Sequence, residues 1–96
     1  MKIVFYKIYL NSDEQHFYIG STNNFSRRKS HHKKNVLNRR GKRYWTKLYL
    51  FIRENGGWSN FTMAVMDTIE YESRTDAFTH EMNLIKEHKP PLNTIC

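Results

Sequence analysis

Ionisable side chains occupy helix positions that normally pack against a protein core. Phe25, Arg28 and His32 follow one another at i, i+3 and i+7, so they share one face of a helix that we predict over about residues 24–34. An asparagine at the start of this helix, Asn23 or Asn24, could cap it. A small helix usually buries such a face under apolar side chains. An Arg and a His in these positions therefore indicate a functional site.

A carboxylate also interrupts the apolar stripe of the last predicted helix. The residues expected to be buried on that stripe are Ala77, Phe78, Met82 and Ile85. Glu81 lies four residues from both Ala77 and Ile85, in the middle of the stripe. A buried carboxylate costs on the order of several kcal/mol unless a positive charge accompanies it. A metal ion or the guanidinium of Arg28 would supply that charge.

Three strands and three helices must position these residues. Residues 2–10 and 16–19 are rich in β-branched and aromatic side chains and predict a β-hairpin, and residues 61–69 predict a third strand. Helices are expected over about residues 24–34, 44–55 and 73–88, with residues 35–42 as an exposed loop. The order β-β-α-α-β-α predicts an α/β fold, an α+β sandwich with a three-stranded antiparallel sheet flanked by three helices. Residues 1–96 would form a single domain.

The charge is strongly positive and concentrated in one part of the chain. The formal net charge is +7, and nine of the sixteen Lys and Arg residues lie between positions 27 and 43. Lys and Arg that bind phosphates release condensed counterions, so this pattern favours a polyanionic partner. The residues predicted to contact nucleic acid beside the site are Arg27, Lys29, His31, Lys33, Lys34, Arg39, Arg40, Lys42 and Arg43.

Composition excludes several classes of protein. Hydrophobic residues at 39% and aromatic residues at 15% exclude a disordered chain. One cysteine, Cys96, cannot form an internal disulfide, and no cysteine-based zinc spacing occurs, so we expect an intracellular, reduced protein. The sequence has neither a signal-peptide pattern nor a membrane-spanning apolar run, and we expect a soluble protein without membrane attachment.

Several motifs together resemble the GIY-YIG nuclease family, over about residues 3–94. The first signature element is similar to Val4-Phe5-Tyr6, and the second is Tyr18-Ile19-Gly20, with eleven residues between the two tyrosines. Arg28 follows Gly20 by eight residues, and His32 follows Arg28 by four. Glu81 and Asn93 match the C-terminal carboxylate and closing asparagine of the family.

The resemblance implies a metal-dependent endonuclease that hydrolyses phosphodiester bonds of DNA. One Mg²⁺ or Mn²⁺ ion would be held by Glu81. Arg28 would bind the non-bridging phosphate oxygens. Tyr6 would act as the general base or orient the attacking water, with Tyr18 as a hydrogen-bonding partner. His32 would relay a proton or hold the phosphate, and Asn93 would brace the C-terminal segment.

The motifs of the family can be aligned with this sequence in two ways at two positions. Tyr9 would leave only eight residues before Tyr18, so Tyr6 is the better match to the first element. His31 adjoins His32, and the spacing from Arg28 favours His32. Val4 stands where the family has Gly, and because that Gly contributes no catalytic atom, we expect a packing difference.

Other functions stay open at this stage. The same scaffold could be a non-catalytic basic nucleic-acid-binding module, or a small basic protein of a ribonucleoprotein complex. An RNA substrate is also an alternative, because nothing in the sequence reads the 2′-hydroxyl. A homodimer or a targeting partner protein would supply specificity that one small domain lacks.

Overall fold

An antiparallel sheet forms the centre of the chain, with helices on both sides. The computed structural model describes residues 2–41 and 46–93. Within these residues the order is β-β-α-α-β-α, which confirms the predicted fold. The elements are β1 (Lys2–Leu10), β2 (Asp13–Thr22), α1 (Phe25–Leu37), α2 (Lys47–Glu54), β3 (Phe61–Glu70) and α3 (Arg74–His88), and a short 3-10 helix over Trp58–Asn60 precedes β3.

The hairpin strand β1 is the central strand of the sheet. The strand order is β2-β1-β3, and both pairings are antiparallel. Phe5, Tyr6 and Ile8 of β1 are all buried, as expected for a strand covered on both faces. Tyr6 lies opposite Gly20 of β2, and the pairing with β3 shifts register between Phe5 and Tyr6. The central strand therefore brings Tyr6 against the edge strand β2.

The two faces of the sheet pack against different helices. Tyr6 and Ile8 belong to one core cluster with Val36 of α1 and with Leu48 and Ile52 of α2. On the opposite face, the ring of Phe5 lies 4.8 Å from that of His80 in α3, between centroids. This alternation follows from the period of two residues in a strand.

The boundaries of α1 and α2 differ from the predicted ones. The side chain of Asn24 caps α1 by accepting a hydrogen bond from the Arg27 amide at 3.1 Å. The helix continues to Leu37, beyond the predicted end, because Val36 lies one turn after His32 and is buried in the core. Helix α2 begins at Lys47, and the first residues of its predicted range lie outside the described residues. None of the described helices has the length and apolar character needed to cross a membrane.

The predicted buried stripe of α3 is wrong in part. Ala77 and Ile85 are buried, but Phe78 is 60% exposed and Met82 is 39% exposed. The helix packs through the row at i, i+4 and i+8, which contains Ala77, Glu81 and Ile85. Phe78 and Met82 lie one position farther around the helix. They are outside this narrow contact and therefore stay exposed.

Candidate active site

The candidate residues form two groups near the C-terminal end of the edge strand β2, one on each face of the sheet. Gly20 lies opposite Tyr6 and Ser21 lies opposite Phe5 in the pairing of β1 with β2. Side chains alternate between the faces of a sheet, so Gly20 belongs to the face covered by α1 and α2, and Ser21 to the face covered by α3. At this edge, a long side chain of α1 can reach both groups.

A phenol and an imidazole form the buried part of the site. The Tyr6 hydroxyl and Nε2 of His32 are hydrogen-bonded at 2.8 Å. Tyr6 is 1% exposed and His32 is 4% exposed. Gly20 provides the room for this phenol, because a Cβ there would lie 2.5 Å from the Tyr6 hydroxyl oxygen. The pKa of Tyr6 is raised above its ordinary value, mainly by burial, with a smaller contribution from Tyr18.

Tyr18 and Asn93 line the open side of this arrangement. The Tyr18 ring is half-buried, with its centroid 6.3 Å from that of Tyr6 and 6.1 Å from that of His32. Tyr18, Arg28, His32 and Asn93 contribute to the wall of one cavity of about 380 Å³. Tyr6 is behind this wall, so a ligand in the cavity would meet Tyr18 and His32 first.

Asn93 attaches the C-terminal segment to β2. Its side-chain oxygen accepts a hydrogen bond from the Ile19 amide at 2.8 Å, and its side-chain nitrogen donates to the Ile19 carbonyl at 2.9 Å. The neighbouring Leu92 amide donates to the Phe17 carbonyl at 3.1 Å. Asn93 thus links the C-terminal segment to the edge of β2 beside Tyr18.

Arg28 lies where the two groups of residues meet. It is exposed on α1 and lines the cavity of Tyr18 and His32. It also lines a second cavity of about 310 Å³, together with Ser21, Arg74 and Glu81. One guanidinium therefore borders both cavities at the end of β2.

Glu81 occupies the α3 side of the site. Burial raises its pKa, while a hydrogen bond from the Ser21 side chain and the charge of Arg28 act in the opposite direction. The Glu81 charge in turn contributes to raising the pKa of Tyr6. The charge of the carboxylate therefore acts on the phenol, although the two side chains lie on opposite sides of the sheet.

The residues around Glu81 fit a hard divalent cation of the kind that keeps much of its water. No group of three or more His, Cys, Asp or Glu side chains able to hold a metal occurs in residues 2–41 and 46–93. Glu81 offers one half-buried carboxylate at a cavity also lined by the Ser21 hydroxyl. One carboxylate with room for water and phosphate oxygens is the type of site that Mg²⁺ occupies.

The predicted basic residues do not all converge on the site. Arg27 and His31 line a third cavity together with Arg28, and His31 also lines the cavity of Tyr18 and His32. Lys33 instead lines an apolar cavity with Trp58. Lys29, Lys34, Arg39 and Arg40 are exposed, whereas Lys42 and Arg43 lie outside the described residues.

Sequence reasoning missed a partner of His32. The Tyr49 hydroxyl of α2 is hydrogen-bonded to Nδ1 of His32 at 2.7 Å, and the Asn35 side-chain nitrogen donates to that hydroxyl at 3.3 Å. The Trp58 ring lies nearly parallel to the imidazole, 6.2 Å away between centroids. Helical spacing in the sequence indicates only that Tyr49 lies on the buried side of its helix, together with Leu48 and Ile52. A tyrosine rather than a leucine on a buried stripe was the available signal, because a buried hydroxyl needs a partner.

One family model matches almost the whole chain. The model described as the GIY-YIG catalytic domain matches residues 2–95. No curated protein and no solved structure is significantly similar to the chain.

Proposed function

The chain belongs to the GIY-YIG family of nucleases, and on that premise we propose that it is a metal-dependent endonuclease that hydrolyses phosphodiester bonds of DNA. The observation that carries the proposal is the hydrogen bond of 2.8 Å between Tyr6 and His32, beside a cavity bordered by Arg28. A buried phenol bonded to an imidazole can move a proton, and a guanidinium can hold a phosphate.

Arg28 is the residue that binds the scissile phosphate. Its planar fork of donors can engage two non-bridging oxygens at once and stabilise the charge that they gain in the transition state. The position of Arg28 between the two cavities supports this role, because a phosphate held there faces both the His32 side and the Glu81 side.

Tyr6 and His32 act together as the proton-accepting pair. A buried phenol whose pKa is raised is a poor base alone, because its phenolate is costly to form. The hydrogen bond to His32 removes this difficulty, since Tyr6 can give its proton to Nε2 as it accepts one from the attacking water. To reach the enclosed phenol oxygen, that water would have to enter between Tyr18 and His32, which line the cavity. Tyr18, on the cavity wall, would orient that water by a hydrogen bond.

Glu81 holds the divalent cation, Mg²⁺ or Mn²⁺. When bound, such an ion supplies Lewis-acid stabilisation of the phosphate and of the leaving 3′-oxygen. Ser21 and the charge of Arg28 favour the ionised form of Glu81 and so offset part of the rise in its pKa that burial causes. Asn93 holds β2 in place beside both groups.

The basic side chains would set the affinity for the nucleic-acid backbone. Arg27 and His31 border a cavity that adjoins Arg28, and they would contact phosphates next to the scissile one. Nothing in these contacts reads a base edge. One site cuts one strand, so a double-strand break would require a second copy of the chain or two successive cuts.

The test is cleavage of supercoiled plasmid and of linear, nicked and branched duplexes, with Mg²⁺, Mn²⁺ or EDTA. We expect metal-dependent cleavage that Glu81→Gln abolishes. Glu87→Gln is the matched control, because it makes the same change at an exposed position of the same helix. An RNA duplex of the same sequence, assayed in parallel, distinguishes the two nucleic acids.

Two results would contradict the proposal. Cleavage that persists in Glu81→Gln would come from another site or a contaminant. Tight, salt-sensitive DNA binding without cleavage, at any metal concentration, would instead favour a non-catalytic nucleic-acid-binding module.

A further inference from the structure

A second hydroxyl group contacts the imidazole that the proposed mechanism uses. His32 is bonded through Nε2 to Tyr6 at 2.8 Å and through Nδ1 to Tyr49 at 2.7 Å. Tyr49 is 4% exposed, and the Asn35 amide nitrogen donates to its oxygen at 3.3 Å. Both nitrogens of His32 are therefore engaged, one by a strand and the other by α2.

The direction of each hydrogen bond follows from which hydroxyl is enclosed. Within residues 2–41 and 46–93, the hydrogen-bond partner of the Tyr6 hydroxyl is Nε2 of His32. Tyr6 is 1% exposed, and a buried O–H without an acceptor is costly, so Tyr6 donates and Nε2 is unprotonated. In a neutral imidazole the proton is then on Nδ1, which donates to the Tyr49 oxygen.

Tyr49 is suited to accept that proton. Its oxygen already accepts from Asn35, and a phenol oxygen can accept a second hydrogen bond. Its own O–H can donate into the cavity of about 380 Å³ that Tyr49 lines with Arg28. The opposite arrangement, with a proton on Nε2, would leave the enclosed Tyr6 O–H without an acceptor among the side chains and backbone groups of residues 2–41 and 46–93.

We propose that Tyr49 is a positioning residue that selects the Nδ1–H tautomer of His32 and so presents the lone pair of Nε2 to Tyr6. Asn35 supports Tyr49 by fixing the position of its oxygen. The tautomer depends on geometry alone, whereas its consequence for cleavage rests on the proposed nuclease function.

The proton transfer can be written out in full. The water oxygen forms a bond to phosphorus, and the bond from phosphorus to the 3′-oxygen breaks with its electron pair on that oxygen. The water proton moves to the Tyr6 oxygen as the Tyr6 proton moves to Nε2. The imidazolium formed then donates from Nε2 to Tyr6 and from Nδ1 to Tyr49, so neither N–H is left without an acceptor.

The direct test is the tautomer of His32, observed by two-bond proton–nitrogen correlation NMR on isotope-labelled protein. In the unsubstituted protein at a pH where His32 is neutral, we expect a protonated Nδ1 and an unprotonated Nε2. In Tyr49→Phe, which keeps the ring but removes the acceptor, we expect a mixture or the Nε2–H form. Tyr9→Phe, which removes a hydroxyl from a partly buried position on β1, should leave the tautomer unchanged.

Cleavage kinetics give the second readout. We expect Tyr49→Phe to lower kcat about 10- to 100-fold, the effect of losing a hydrogen bond to a group that becomes charged, with KM little changed. A smaller effect in the same direction is expected for Asn35→Ala, and none for Tyr9→Phe.

The outcomes separate the two proposals. An Nε2–H tautomer in the unsubstituted protein, or an unchanged tautomer in Tyr49→Phe, would overturn the role of Tyr49 even if the protein cleaves DNA. The expected tautomers in a protein that never cleaves would support the role of Tyr49 in setting the imidazole and refute the nuclease function. The first measurement needs no variant, so a Tyr49→Phe protein that fails to fold does not prevent the test.

Discussion

Gly20 can be tested by the smallest possible substitution, Gly20→Ala. A Cβ at this position would lie 2.5 Å from the Tyr6 hydroxyl oxygen, 2.6 Å from Tyr6 Cζ and 3.0 Å from Tyr18 Cε1. Favourable contacts between heavy atoms lie at about 3.5–4.0 Å, so the added methyl overlaps the Tyr6 ring. Tyr6 cannot easily yield, because it is 1% exposed and its hydroxyl is bonded to His32.

The expected loss of stability follows from three contributions. Overpacking of a core costs about 1–3 kcal/mol. Breaking the hydrogen bond of Tyr6 to His32 adds about 1 kcal/mol. Gly20 is not among the glycines with positive φ, so the backbone conformation allows alanine. Alanine also lowers the conformational entropy of the unfolded chain, which stabilises the fold by about 0.4–1 kcal/mol. The sum is a destabilisation of about 2 kcal/mol, or a Tm lower by about 8–16 °C for a domain of this size.

Thermal unfolding followed by circular dichroism is the assay, with Gly41→Ala as the control. A Cβ at Gly41 would meet the Asn38 side-chain nitrogen at 3.1 Å and the Asn38 carbonyl oxygen at 3.2 Å, contacts that small shifts relieve, so we expect a much smaller change in Tm. In a Tyr6→Phe background, which removes the closest atom, Gly20→Ala should cost less than in the unsubstituted chain. A Gly20→Ala protein that melts within about 2 °C of the unsubstituted one would refute the steric argument.

Three further predictions concern the C-terminal segment, the carboxylate and the basic surface. Asn93→Ala removes two hydrogen bonds to the Ile19 backbone and should destabilise the fold by about 1–3 kcal/mol in urea unfolding; an unchanged unfolding midpoint would contradict the bracing role. Burial raises the pKa of Glu81, so its ionised form destabilises the fold at neutral pH; in EDTA, Glu81→Gln should raise Tm there, and the gain should fade as the pH falls through the raised pKa. A gain in Tm that instead increases as the pH falls would contradict this prediction. For DNA binding, Arg27→Gln should reduce the slope of log Kd against log salt by about 0.9, whereas Lys86→Gln on α3 should leave it unchanged, and equal effects of the two would argue against a localised DNA surface.

Local periodicity was sufficient for much of the fold. The alternation of residues in β1 and the helical spacing of α1 predicted the elements and their order, because each depends on neighbours within a few positions. It also placed Arg28 and His32 on one helix face, since residues four apart in a helix must share a face. The capping of α1 by Asn24 is equally local.

Periodicity does not tell how far another element covers a face. The α3 stripe was predicted to bury Phe78 and Met82, but only the narrow row through Ala77 and Ile85 is covered. Likewise α1 continues past its predicted end because α2 and the sheet bury Val36. These outcomes depend on the placement of elements that are distant in the sequence.

The candidate site was likewise predictable from the sequence only in part. The types and spacing of Tyr6, Arg28, His32 and Glu81 could be read from the chain, because the chemistry of a side chain is a property of the residue itself. That the Tyr6 hydroxyl is enclosed, and that Tyr49 bonds the far nitrogen of His32, was decided by the packing of α2 against the sheet. Burial and hydrogen bonding between distant residues exist only after the chain has folded, so tertiary structure alone determines them.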